Sequence, residues 1–102
     1  MNVTELLDVD TTAADTLLQH AHSADGVEAF GEAFVRGLDD DSFGHRHFAI
    51  IENDRYLGLA AVAPDAVEMA VDPEFRKQGV GAKLLAHIDA EVGERLPIWA
   101  LS

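Results

Sequence analysis

Cysteine is absent from these 102 residues. That excludes disulfides, a thiolate nucleophile and cysteine-ligated zinc. Basic residues are scarce, with 7 Lys and Arg against 19 Asp and Glu and a formal net charge of −12. Such a balance repels a phosphate backbone at long range and argues against a general nucleic-acid binder. No apolar run approaches ~18 residues and the N-terminus lacks a signal-peptide layout, so the expectation is a cytoplasmic protein without a membrane span. Histidine pairs occur at His20-x-His22 and His45-x-His47, but residues two apart do not share a helix face. No third ligand stands at a suggestive spacing, so no metal site is expected. What remains is ordinary globular material, 48% hydrophobic and 25% charged. It amounts to one small domain over residues 1–102, with a single core and little to spare.

Read along the chain, Val3 to Val9 predicts a strand. Asp10-Thr11-Thr12 supplies cap chemistry, with Thr12 and Asp15 at capping-box spacing. A short helix follows with Ala14, Leu17, Leu18 and Ala21 in one stripe, broken by Asp25-Gly26. A second helix is predicted from about Glu28 to Arg36, with Val27, Phe30, Phe34 and Leu38 on one face. His47 to Glu52 and Tyr56 to Val62 read as a hairpin around Asn53-Asp54-Arg55. Ala63-Pro64-Asp65 turns the chain into a strand ending at Val71, where Pro73 stops it. The apolar face Val80, Leu84, Leu85, Ile88 and Val92 predicts a longer helix, and Pro97 to Leu101 one more strand. The order β-α-α-β-β-β-α-β is an α/β domain on a mixed sheet, with a parallel crossover between its last two strands.

The densest chemistry lies at Val71-Asp72-Pro73-Glu74-Phe75-Arg76-Lys77-Gln78-Gly79-Val80-Gly81. Here a strand exits through a basic, glycine-bearing loop into a helix. Such a joint presents free N–H groups and a positive dipole end to an anion. Glycine at 79 and 81 lets a phosphate approach the backbone without meeting a Cβ. Three of the seven basic residues (Arg76, Lys77 and Lys83) gather within eight positions of it. In so acidic a chain, that gathering points to a compact polyanion. The third glycine of a dinucleotide fingerprint is missing, as are the Gly-Lys-Ser/Thr of nucleoside triphosphatases and the Gly-x-Ser-x-Gly of serine hydrolases.

Val71-x-Pro73, then Arg76-x-x-Gly79-x-Gly81, then the paired Leu84-Leu85, resembles the acetyl-CoA-binding motif of the Gcn5-related N-acetyltransferase (GNAT) family. The element order fits that fold as well. The resemblance implies that acetyl-CoA is the co-substrate and a small-molecule amine the acceptor. It places the CoA diphosphate on backbone N–H groups of Lys77, Gln78, Gly79, Val80, Gly81 and Ala82, with Arg76 at the border. It also implies that the strand backbone at Met69, Ala70 and Val71 pairs with the pantetheine arm and polarises the thioester carbonyl. Amine attack needs a base, and Glu68, beside the expected thioester, or Asp65 can supply it. The family's usual thiolate-protonating tyrosine has no match, because Tyr56, the only tyrosine, begins the third strand.

Asp25-Gly26-Val27, Gly31-Glu32, the Glu68–Pro73 strand and Ile98-Trp99-Ala100 resemble more closely the N-terminal half of a subgroup with two such domains in tandem. That subgroup acetylates the cysteinyl amine of cysteinyl-glucosaminyl-inositol, and Glu32 would there contact the acceptor. A complete domain of the family continues with a fourth helix and a terminal hairpin. The expectation is therefore a partial domain that forms a homodimer or associates with a missing C-terminal half. Alternatives within the fold are a non-catalytic acyl-CoA-binding module, or a transferase acting on another small amine or a protein N-terminus.

Overall fold

The computed structural model describes residues 2–26, 30–38, 40, 44–63 and 66–92. Strands β1 (Val3–Leu6), β2 (Arg46–Glu52), β3 (Arg55–Ala63) and β4 (Ala66–Val71) form one sheet in the order β1-β2-β3-β4. Helices are α1 (Thr11–Asp25), α2 (Glu32–Arg36) and α3 (Val80–Val92), with a 3₁₀ helix at Pro73–Gln78 between β4 and α3. Every described strand pair is antiparallel. The parallel partner predicted at 97–101 lies outside the described residues, and so does the self-association expected from its uncovered edge.

The sheet is covered on both sides, which is why β3 reads as an almost unbroken apolar run. Phe48, Ile50, Leu57, Ala60 and Val62 pack with Val80, Leu84 and Ile88 of α3. Ala49, Tyr56, Leu59, Ala61 and Ala70 pack with Ala14 and Leu17 of α1 and with Phe30 and Leu38. Strict alternation would put neighbours Leu57 and Gly58 on opposite faces. A bulge prevents this. Ile50 pairs with Gly58 and Ile51 with Tyr56, so Leu57 is the extra residue, and the phase of the strand shifts there. Gly58 then faces α3, where an added Cβ would lie 2.5 Å from Val80 Cγ1 and 2.8 Å from Leu84 Cδ1. Glycine at 58 is what lets α3 seat on the sheet.

Some boundaries differ from those the sequence suggests. α1 runs to Asp25 and is capped by Asp10, whose Oδ1 accepts from Ala13 N–H at 3.1 Å. Thr12 therefore sits inside the first turn, not at a capping box. Helix α2 begins at Glu32, and residues 27–29 lie outside the described set. The stretch from Pro73, read as an open loop, is a 3₁₀ helix with Asp72 as its cap. Among the described residues no helix is long and apolar enough to cross a membrane.

Candidate active site

β4 delivers the chain to the site, and the carboxylate of Asp72 turns it. Pro73 cannot donate to a ladder, so the strand ends there. Asp72 N–H still donates to the carbonyl of the bulged Leu57 at 2.8 Å. Its side chain, 1% exposed, accepts from Glu74 N–H at 3.0 Å, from Arg55 Nη2 at 2.6 Å, and meets His20 Nδ1 at 3.2 Å. Burial pushes the Asp72 carboxyl up, but the Glu74 amide, Arg55 and His20 outweigh it and hold the group below the ordinary carboxylate range. One buried anion thus ties β3, β4, α1 and the 3₁₀ helix together. The sequence offered no local sign of it, since His20 and Arg55 lie 52 and 17 residues away.

From that anchor the 3₁₀ helix leads to Gly79, at φ 81°. Nothing lies within 4 Å of where its Cβ would be, so glycine serves the left-handed backbone there. Lys83 N–H donates to Gly79 carbonyl at 3.0 Å, the opening bond of α3. The amides of Val80, Gly81 and Ala82 precede that bond in the first turn, where helical N–H groups lack a carbonyl one turn back. Val80 itself is fully buried against the sheet, main chain included, and of the predicted coenzyme contacts it is one that the fold turns away from the surface. Gln78 and Gly79 are exposed and Gly81 is half-buried. A cavity of ≈ 410 Å³ opens here, lined by Met69, Ala70, Val71, Arg76, Gly79, Gly81 and Ala82. Seven predicted coenzyme contacts from β4, the 3₁₀ helix and α3 therefore share one concave surface. Lys77 lies in the 3₁₀ helix, with its side chain outside the described set.

Two further lining residues, Ala21 and Asp25, come from α1 and were not foreseen. Asp25 takes both ends of the Arg76 guanidinium, Nη1 to Oδ1 and Nη2 to Oδ2, each at 2.7 Å. Arg76 Nε also donates to Val71 carbonyl at 3.3 Å. The hydrogen bond from Arg76 holds the Asp25 carboxyl below its usual range.

Glu68 Oε1 accepts from Gly31 N–H at 2.6 Å, one residue before Glu32 opens α2. Nothing is described of the Glu32 side chain, and Asp65 lies outside the described residues. Tyr56 is buried, and its hydroxyl accepts from Asp10 N–H at 2.9 Å. Burial raises its pKa, and the residue packs β3 onto the start of α1. Among the described residues no group of three or more His, Asp or Glu is placed to hold a metal ion. Another cavity, ≈ 430 Å³ between α1 and α2, contains none of the predicted site residues; Leu18, His22, Phe30 and Val35 are among its walls.

A family model described as acetyltransferase (GNAT) domain matches residues 43–101. The chain is 45% identical over 69 residues to a mycothiol acetyltransferase of Corynebacterium glutamicum strain R, covering 68% of this chain and 24% of that protein. To the mycothiol acetyltransferase of Corynebacterium urealyticum it is 36% identical over 100 residues, 86% of this chain and 29% of the relative. The chain thus spans about a quarter of the length of these curated relatives. Among solved structures, the ribosomal-protein-S18-alanine N-acetyltransferase of Escherichia coli superposes with a TM-score of 0.67 at 24% identity. The match covers 92% of this chain and 60% of that one, a likeness of fold.

Proposed function

Because the chain belongs to the acetyltransferase (GNAT) family, we propose that it is the acetyl-CoA-binding part of an N-acetyltransferase of mycothiol-acetyltransferase type, working in the cytoplasm. The observation that carries this reading is the ≈ 410 Å³ cavity, where β4 backbone and the first turn of α3 converge on exposed Gly79 and half-buried Gly81. The residues fit the coenzyme. First-turn amides of Gly81 and Ala82, with the positive end of α3, suit a diphosphate. The backbone at Met69, Ala70 and Val71 offers polar groups along an extended edge for a pantetheine arm. When bound, acetyl-CoA supplies an activated acetyl thioester.

The chain's own residues then have defined tasks. Main-chain N–H groups of β4 stabilise negative charge developing on the thioester oxygen. Glu68 takes the proton from the acceptor ammonium, since only the free amine has a lone pair to attack with. One of its oxygens is engaged by Gly31 N–H, and a carboxylate keeps acceptor capacity on both oxygens. The hydrogen bond sets Glu68 against the start of α2, where Glu32 meets the acceptor. The similarity to mycothiol acetyltransferases supports the cysteinyl amine of cysteinyl-glucosaminyl-inositol as that acceptor.

Calorimetry with acetyl-CoA tests the core of the proposal. The native chain should bind, and Gly81→Leu, which puts bulk into the cavity, should bind at least roughly tenfold more weakly with its circular dichroism unchanged. A well-folded native chain that ignores acetyl-CoA would remove the proposal. Glu68→Gln can still accept from Gly31 N–H but cannot take a proton. Acetyl transfer by the longer protein carrying it should fall roughly 10²-fold or more, with acetyl-CoA affinity retained.

A further inference from the structure

Asp25 is the one anionic side chain among the described residues lining the coenzyme cavity, and Arg76 the one cationic side chain. They are spent on each other. Both guanidinium Nη groups face the two carboxylate oxygens at 2.7 Å, and Nε is turned to Val71 carbonyl. We propose that Asp25 sets coenzyme affinity by competing with the diphosphate for Arg76, so that the ligand-free site is electrostatically neutral. The inference rests on the acetyl-CoA reading given above.

The position of Asp25 makes this pairing informative. It is the last residue of α1, where the negative end of the helix dipole disfavours a carboxylate. A cation or an uncharged residue would suit helix termination better. The pair is also open to water, with side-chain exposures of 40% and 38%, so it is screened and can be exchanged for another partner. A diphosphate offers Arg76 a stronger bidentate acceptor than a single carboxylate. Binding it must nonetheless break or share the Asp25 pair and bring a dianion beside a carboxylate. In a chain of net charge −12, freeing Arg76 supplies local attraction that the rest of the surface withholds.

The test is a thermodynamic cycle read by calorimetry with acetyl-CoA. Asp25→Asn should tighten binding about 3- to 10-fold at low salt, with the gain shrinking as salt is added. Asp25→Asn combined with Arg76→Gln replaces an ion pair of zero net charge with two uncharged side chains, and should return affinity to within about threefold of native. S-acetylpantetheine, which lacks the diphosphate, should bind all three proteins alike. Asp25→Ser removes the same charge with a smaller side chain and should tighten binding too if Asn disturbs the fold. A role confined to holding α1 against the 3₁₀ helix would lower thermal stability without tightening anything. Charge-removing variants that bind acetyl-CoA as well as or worse than native overturn the inference and leave the coenzyme assignment intact. Absence of acetyl-CoA binding by native and variant chains alike overturns both.

Discussion

Asp72 shows how much of the site depends on one buried group. The cavity contains other side chains, yet the course of the backbone through it is set by the carboxylate beneath, which caps the 3₁₀ helix and gathers Arg55 and His20. Asp72→Asn keeps the shape and removes the charge. Hydrogen bonds to charged groups contribute more than neutral ones, but Arg55 is half-exposed and keeps Glu74 as a partner. The expected loss is therefore moderate, about 1–3 kcal/mol by urea denaturation, accompanied by weaker acetyl-CoA binding as the 3₁₀ helix loosens. An unchanged urea midpoint would show that the cluster decorates the fold without holding it. Arg76 makes the complementary point. Its motif position was legible, whereas its occupation by Asp25, 51 residues away, was not.

Among the elements, α3 matters most, because it brings the coenzyme amides to the end of β4. Its apolar face was readable from periodicity, and Val80, Leu84 and Ile88 are buried as that face requires. The bed it lies on was not readable. Val80 and Leu84 occupy the space a side chain at 58 would need, and only the bulge at Leu57 turns residue 58 toward them. Gly58→Ala should destabilise the chain by about 1–3 kcal/mol through overpacking and tilt the start of α3. Acetyl-CoA affinity should fall with stability, although residue 58 lies outside the cavity lining. A thermal melt equal to native would mean the helix shifts freely and its seat is not specified by this contact.

For the molecule as a whole, acid is the expected weakness. Asp72, Asp25 and Glu5 are each held below their ordinary titration range, Glu5 chiefly by the hydrogen bond from Arg46. A carboxylate whose folded pKa lies below its unfolded value, near 4, stabilises the fold fully above that value. The contribution drains away as pH falls through the folded pKa, because the unfolded chain binds the proton first. Asp25 and Glu5 are open to water and contribute little, so the buried Asp72 should dominate. Urea midpoints should hold steady from pH 7 to about 5 and drop below pH 4. The drop should be shallower in Asp72→Asn. Equal slopes for the two proteins would place acid sensitivity elsewhere.

By itself the sequence determined the order of the elements, the face that α3 buries, and the strand–loop–helix joint with its glycines at 79 and 81. These are local: periodicity, turn chemistry and short spacing act between residues a few positions apart. Only the tertiary structure decided that the joint is a 3₁₀ helix capped by a buried anion, that β3 carries a bulge, that Glu68 leans on Gly31, and that Asp25 holds Arg76. Each of these depends on groups from separate elements meeting across the sheet. Whether such groups meet is settled by the packing of both sheet faces at once, which no short window of residues contains.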